Sequence, residues 1–215
     1  MTVAAVLTAV YDGYDTVKPF VAQSIECEAI CVTDDPTLQV DGWHVVYEPR
    51  DTHPNRSAKH PKMRPWTYTG ARWSVWVDAS FRITSTTFAE DVLAYAKPIA
   101  QFRHPDRDCI YDEAAISIGM EKYVGHPIDA QIARYRADGH PERWGLWATG
   151  VIAREHTLEV MKFGDEWLTE VHEWSFQDQL SEAPLLRRHG LRPADLPGWH
   201  GANSWLRYEG SARHY

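Results

Sequence analysis

The chain has 215 residues, 44% hydrophobic and 24% charged, a balance that builds one domain with a substantial core and excludes wholesale disorder. Its formal net charge of −8 argues against a broad nucleic-acid footprint, though not against a local basic groove. No stretch approaches the roughly 20 apolar residues of a membrane helix, and the apolar start from Thr2 to Val10 has no basic flank, so no membrane segment or export signal is read and a cytoplasmic location is the expectation.

The elements follow in chain order. Val3 to Val10 is an apolar run that reads as a first strand and ends in the turn signal Tyr11-Asp12-Gly13. Ala29 to Thr33 is a second strand, closed by Asp34-Asp35-Pro36, and Trp43 to Tyr47 is a third. A helix is predicted over part of Ala58 to Gly70, interrupted near Pro61 and Pro65. Ser74 to Val77 forms a fourth strand ending at Asp78-Ala79-Ser80. Thr86 and Thr87 with Glu90 resemble a capping box that opens a helix to Ala96. Pro98 to Phe102 is a further strand, and Arg107 to Tyr123 and Ile128 to Ala137 read as helices. Trp147 to Ala153 is strand-like, His156 to Trp174 and Gln177 to His189 are helical, and the tail from Pro193 to Tyr215 is expected to be a loop closing near the site. Strands alternating with helices in this way predict an α/β domain built on a mostly parallel sheet.

The cysteines, Cys27, Cys31 and Cys109, are too scattered for a disulfide framework and read as reduced thiols rather than a metal pair. Ten tryptophans and ten tyrosines are many for this length; they fill cores, and they also stack on sugar faces and nucleobases.

Open α/β sheets bind ligands beyond the carboxyl ends of their strands. Three strands end in acids there: Asp12, Asp34-Asp35 and Asp78. Each alone is an ordinary turn residue; together they could hold Mg²⁺ or Mn²⁺, which prefer oxygen ligands. Lys59, Lys62 and Arg64 put three positive charges into six residues, either to neutralise a diphosphate or as a solvated basic face. Phe102 to Glu113 interleaves charged with apolar residues and predicts a partly buried polar network. Asp178 and Gln179 sit at a helix start, where the N-terminus attracts anions and hydroxyls, with Ser175 as an alternative cap. His200 and His214 lie in the irregular tail, from which an imidazole could reach a metal at Asp78.

Taken in order, these segments resemble a glycosyltransferase-like family of plant mucilage and cell-wall proteins, formerly catalogued as a domain of unknown function. The resemblance is carried by Thr8 to Asp15, Cys31 to Asp35, Lys59 and Lys62, Trp76 to Ser80, His104 to Glu113, Tyr135 to Pro141, Gly145-Leu146 and Asp178 to Ser181. That family is distantly similar to glycogenin-like transferases. The resemblance therefore implies a single Rossmann-like domain of the GT-A type, with a mixed, mostly parallel sheet flanked by helices. It implies transfer of a sugar from a nucleotide-diphosphate sugar, UDP favoured, to an acceptor hydroxyl on a glycan, a small molecule or a modified DNA base. It places Asp178 and Gln179 at the transferred sugar, Thr8, Tyr11 and Asp34 at the nucleotide, and Lys59 and Lys62 at the diphosphate or base. Mn²⁺ or Mg²⁺ would lie on Asp78, Ser80 and His200, although Asp78-Ala79-Ser80 lacks the second carboxylate of the aspartate-x-aspartate motif. A non-catalytic sugar- or nucleotide-binding module and a metal-dependent phosphoester hydrolase are the competing readings.

Overall fold

A computed structural model of the chain describes residues 3–51 and 53–210. The first apolar run forms β1 (Ala4–Val10), buried along its whole length as a strand covered on both faces must be. β2 (Cys27–Thr33) and β3 (His44–Tyr47) follow, then two short helices, α1 (Pro54–Ser57) and α2 (Lys59–Met63), and a 3-10 turn at Pro65–Thr67. β4 (Trp73–Val77) and β5 (Phe81–Ile83) precede α3 (Phe88–Tyr95). β6 (Ile99–Arg103) leads into α4 (Ile110–Ile118), a 3-10 turn at Glu121–Tyr123, and α5 (Ile128–Ala137). β7 (Trp147–Glu155), α6 (Leu158–Glu173) and α7 (Asp178–Arg188) come next, and the tail adds β8 (Ala194–Asp195) and β9 (Leu206–Tyr208).

Seven strands form one sheet in the order β3-β2-β1-β4-β7-β6-β8, and β5 pairs with β9 in a separate antiparallel ribbon. β1 to β4 are parallel, β7 runs antiparallel to both β4 and β6, and β8 is parallel to β6. This is the α/β domain with a mixed, mostly parallel sheet that the alternation of elements predicts. The chain moves outward from β1 to β2 and β3, then returns to the other side of β1 as β4. Such a reversal opens a crevice beyond the carboxyl ends of the two central strands.

Period-two alternation splits each central strand between two cores. Ala5, Leu7 and Ala9 of β1 and Trp76 of β4 join Phe163, Trp167, Leu180 and Leu185 of α6 and α7. Val6, Val75 and Val77 face Phe88 and Val92 of α3, together with Trp205 and Leu206 from the tail. Burying one such side chain contributes about 1.5–3 kcal/mol. α6 also carries the device that sets α2 in place. A Cβ on Gly164 would sit 2.2 Å from the Met63 carbonyl oxygen, so only glycine lets the two helices approach this closely. No helix among the described residues is long and apolar enough to cross a membrane.

Five local expectations are corrected. Helix formation begins at Pro54, upstream of Ala58, and Pro61 lies within the first turn of α2, where its missing N–H costs nothing. Thr87 precedes α3 but makes no side-chain cap; its hydroxyl donates to Asp91, and Glu90 accepts from Ser24 instead. The helix expected from Arg107 begins at Ile110 and stops at Ile118, because Gly119 follows. Ser175 donates to the Gln131 side chain, and Gln177 holds the cap position of α7. The tail contains two short strands rather than loop alone. His214 lies outside the described residues.

Candidate functional site

The carboxyl ends of β1, β4 and β6 and the start of β7 surround a cleft of about 420 Å³. Tyr11 follows β1, Asp78 and Ser80 follow β4, and His104 follows β6. β7 contributes Thr149 and Gly150, while α2 contributes Lys59 and Lys62. Gln179 enters from α7, and His200 and Tyr208 from the tail.

Asp178 lies directly beneath, 3% exposed, at the first residue of α7. Lys59 Nζ donates to its Oδ2 at 2.6 Å, Lys62 Nζ lies 2.7 Å from the same oxygen, and Thr149 Oγ1 donates to its Oδ1 at 2.8 Å. Burial alone would raise the carboxyl, but the two ammonium groups and their hydrogen bonds hold it well below the usual carboxylate range. Lys62 also stands 3.5 Å from Asp78, so despite its burial two carboxylates keep its ammonium above the ordinary value. Lys59 has one close carboxylate and a cation beside it, and burial pulls it down. The expectation that these lysines form a solvated face is corrected: both are enclosed at the cleft floor, while Arg64 turns away to Asp165 at 2.8 Å.

Asp78 is more open, with 40% of its side chain exposed. Trp76 Nε1 donates to its Oδ1 at 2.6 Å, and its backbone N–H donates to the Gly150 carbonyl at 2.8 Å. A Cβ on Gly150 would come within 3.2 Å of Asp78 Oδ2, so a glycine keeps that oxygen accessible. Ser80 and His200 line the same cleft. His200 Nδ1 is buried without a hydrogen-bond partner among the described residues, and burial lowers the imidazole's pKa, leaving a neutral donor. Among the described residues no group of three His, Cys, Asp or Glu side chains converges on one point. A carboxylate oxygen and a neutral imidazole nitrogen are chemically of the type that ligate a hard divalent cation.

Gln179, which lines the cleft, donates from Nε2 to the Trp147 carbonyl at 3.0 Å, and its amide oxygen accepts only a weak 3.5 Å contact from Gln177 Nε2. The charged stretch after β6 is the buried network its composition predicts: Arg107 Nε donates to Glu113 at 2.6 Å, and Gln177 Nε2 donates to the other oxygen at 2.8 Å. A second buried layer lies behind Lys62. Arg154, 1% exposed, donates from Nη2 to the Lys62 carbonyl. Glu182, one turn beyond Asp178 and also 1% exposed, accepts from Gln101 Nε2 at 2.7 Å. Burial, with the Asp178 carboxylate nearby, pushes the Glu182 carboxyl up to about 8.

Two nucleotide candidates lie elsewhere. Thr8 is 2% exposed and faces the opposite side of β1 from Ala9, lining a small crevice with Val17, Lys18 and Trp43. Asp34 accepts from the Asp12 backbone at 2.9 Å and faces Arg50 at 3.6 Å, outside the cleft lining. Sequence reasoning passed over Thr149 and Gly150, because nothing in a strand pattern says that β7 inserts antiparallel beside β4, and Tyr208, which reaches the cleft only through the pairing of β9 with β5.

A family model described as TOD1/MUCI70, glycosyltransferase-like domain, matches residues 22–193. No curated protein matches the sequence.

Proposed function

The chain belongs to the TOD1/MUCI70 glycosyltransferase-like family, and from that premise we propose that it transfers a sugar from a nucleoside-diphosphate sugar, UDP favoured, to an acceptor hydroxyl. One observation carries the reading: a carboxylate, Asp178, fixed beneath the cleft by two enclosed ammonium groups at 2.6 and 2.7 Å, with Asp78 3.5 Å beyond Lys62.

Sugar transfer builds negative charge on the departing diphosphate and positive charge at the sugar carbon. Lys59 and Lys62 line the cleft, held between Asp178 and, 3.5 Å from Lys62, the more open Asp78. Cations already fixed in a low-dielectric floor need no reorganisation as charge develops, which is where electrostatic catalysis is largest. A carboxyl held this far below its usual range is a poor proton acceptor at neutral pH. Asp178 is therefore assigned to fixing Lys59 and Lys62 rather than to removing a proton, and the Gln179 amide, which lines the cleft, to orienting a sugar hydroxyl. Tyr11 touches the cleft at the end of β1, where it would border the nucleotide, but at 2% exposure its ring packs in the core rather than offering a stacking face.

Asp78 and His200, with the Ser80 hydroxyl, are the residues that would hold Mn²⁺ or Mg²⁺. When bound, such an ion neutralises diphosphate charge as a Lewis acid.

The test is thermal stabilisation by UDP, GDP, ADP, CDP and TDP, with and without Mn²⁺, followed by donor-sugar hydrolysis with the nucleotide that binds. A shift of roughly 5–10 °C at about 100 times Kd is expected for one nucleotide. No shift with any of them removes the reading. Binding without turnover in the wild type would leave a nucleotide-binding module.

A further inference from the structure

Beyond the cleft floor, the tail builds a feature that donor chemistry does not use. Residues 198–203 form a tight hairpin in which Trp199 and Ala202 exchange backbone hydrogen bonds of 3.3 and 2.9 Å. Asn203 locks the turn: Nδ2 donates to the Trp199 and His200 carbonyls, and Oδ1 accepts from the backbones of Trp205 and Leu206. The Trp199 ring lies on Gly201, where a Cβ would come within 2.3 Å of the indole. The ring is therefore fixed, yet 43% of the residue is exposed.

Its edge meets the His200 ring at 5.2 Å. His200 packs on Phe81 at 5.9 Å, and Phe81 on Tyr208 at 5.5 Å. Phe81, His200 and Tyr208 line the cleft, and Tyr208 is 38% exposed. Two exposed aromatic faces thus flank the cleft wall that carries His200, away from the Tyr11 wall. A fixed indole left 43% exposed beside a cleft offers a flat surface on which a ring can stack without first being ordered.

Charge selects the ligand's class. Stacking alone suits either a sugar ring or a base, but a strand of nucleic acid also needs a cationic track for its phosphates. Among the described residues around this wall, Arg82 and Arg207 both contact Glu209, at 2.9 and 3.3 Å, and His200 senses the carboxylates of Asp78 and Asp106. The chain as a whole carries −8.

We propose that Trp199 and Tyr208 form a subsite for a neutral saccharide, with Trp199 stacking on a sugar ring. On the transferase reading, this is the acceptor, its hydroxyl entering the cleft past His200; the subsite itself does not depend on turnover.

The experiment is titration of the full chain with maltose, cellobiose, xylobiose, lactose and mannobiose, followed by the indole N–H resonances in ¹H–¹⁵N spectra. Trp199 is identified by its missing signal in Trp199→Phe. One or more disaccharides should shift that signal, and Trp199→Ala should weaken binding about tenfold, whereas Trp199→Tyr should retain most of it. UDP-induced stabilisation should be unchanged in Trp199→Ala. The proposal is overturned if no disaccharide moves the Trp199 signal, if binding is equal in Trp199→Ala, or if a ten-residue thymidine oligonucleotide moves that signal instead. Saccharide binding at Trp199 without any nucleotide binding would keep the subsite and remove the transferase.

Discussion

Lys62 Nζ lies 2.7 Å from the Asp178 carboxylate, and both side chains are almost completely enclosed. The pair comes from segments 116 residues apart, α2 and the first residue of α7, so it couples the closing of the fold to the floor of the cleft. Removing one partner of an isolated buried pair costs about 3–5 kcal/mol; here Asp78 remains 3.5 Å from Lys62 and Lys59 2.6 Å from Asp178, so the loss falls toward the lower end of that range.

Asp178→Asn is therefore expected to lower the melting temperature by several degrees and donor-sugar hydrolysis by about 10²-fold or more. A pH series separates the causes. The Asp178 carboxyl is lower in the folded state than its unfolded value of 3.8, so its stabilisation is present above that value and fades as pH falls through the folded one. Chemical unfolding from pH 6 to pH 2 should show a steeper acid loss in wild type than in Asp178→Asn. Equal slopes would show that the lysines do not hold this carboxylate ionised.

Glu182 carries the opposite sign. Its carboxyl rises from 4.5 to about 8 on folding, so between these values the folded state keeps a proton that the unfolded chain has lost. Stability then declines with rising pH across that window, by up to about 1.4 kcal/mol per pH unit. Glu182→Gln keeps the acceptor for Gln101 and removes the titration. The variant should gain on wild type in urea midpoints from pH 5 to pH 8, while nucleotide binding persists. A constant difference across that range would mean the carboxyl titrates normally.

How much of this was legible in the sequence depends on the range of the interaction. β1 and β2 are legible because burial on both faces is written as an apolar run, and α5 because Asp138-Gly139 marks its end, with Gly139 at positive φ. Asp178-Gln179 and the lysine pair stood out as motifs, but their union across 119 residues from Lys59 was not readable, because no local signal encodes which helix start packs on which short helix. Thr149 was invisible for the same reason: it reaches Asp178 only because β7 enters the sheet antiparallel. Thr8, which the family resemblance assigns to the nucleotide, lines the crevice on the other face of β1, because successive strand residues point to opposite faces.

Gly164 tests whether the position of α2 matters independently of its charges. A methyl group there would meet the Met63 carbonyl at 2.2 Å and the Trp66 ring at 2.5 Å, and a backbone oxygen cannot swing aside as a side chain can. Gly164→Ala should cost about 1–3 kcal/mol from overpacking and shift α2, weakening nucleotide-induced stabilisation although every charged residue remains. Undiminished stabilisation by the nucleotide would show that the lysines tolerate displacement.

The Asp78–His200 assignment makes the sharpest demand on the tail. Asp78 offers Oδ2 past Gly150, and His200 Nδ1 is buried with no partner among the described residues, an arrangement that stays unfavourable unless something binds there. If these two donors hold Mn²⁺ beside a diphosphate, then Asp78→Ala and His200→Ala should each abolish the extra stabilisation that Mn²⁺ adds to the nucleotide. Melting curves with UDP alone should respond differently: His200→Ala leaves Lys59 and Lys62 intact and should keep most of the metal-free shift. Replacing the imidazole also removes one ring from the stack between Trp199 and Phe81. His200→Gln is therefore the companion variant, since it fills similar volume and offers an amide oxygen in place of the ring nitrogen. A Mn²⁺ increment that survives in both His200 variants but not in Asp78→Ala would place the ion on the carboxylate alone, with the tail serving only to wall the cleft.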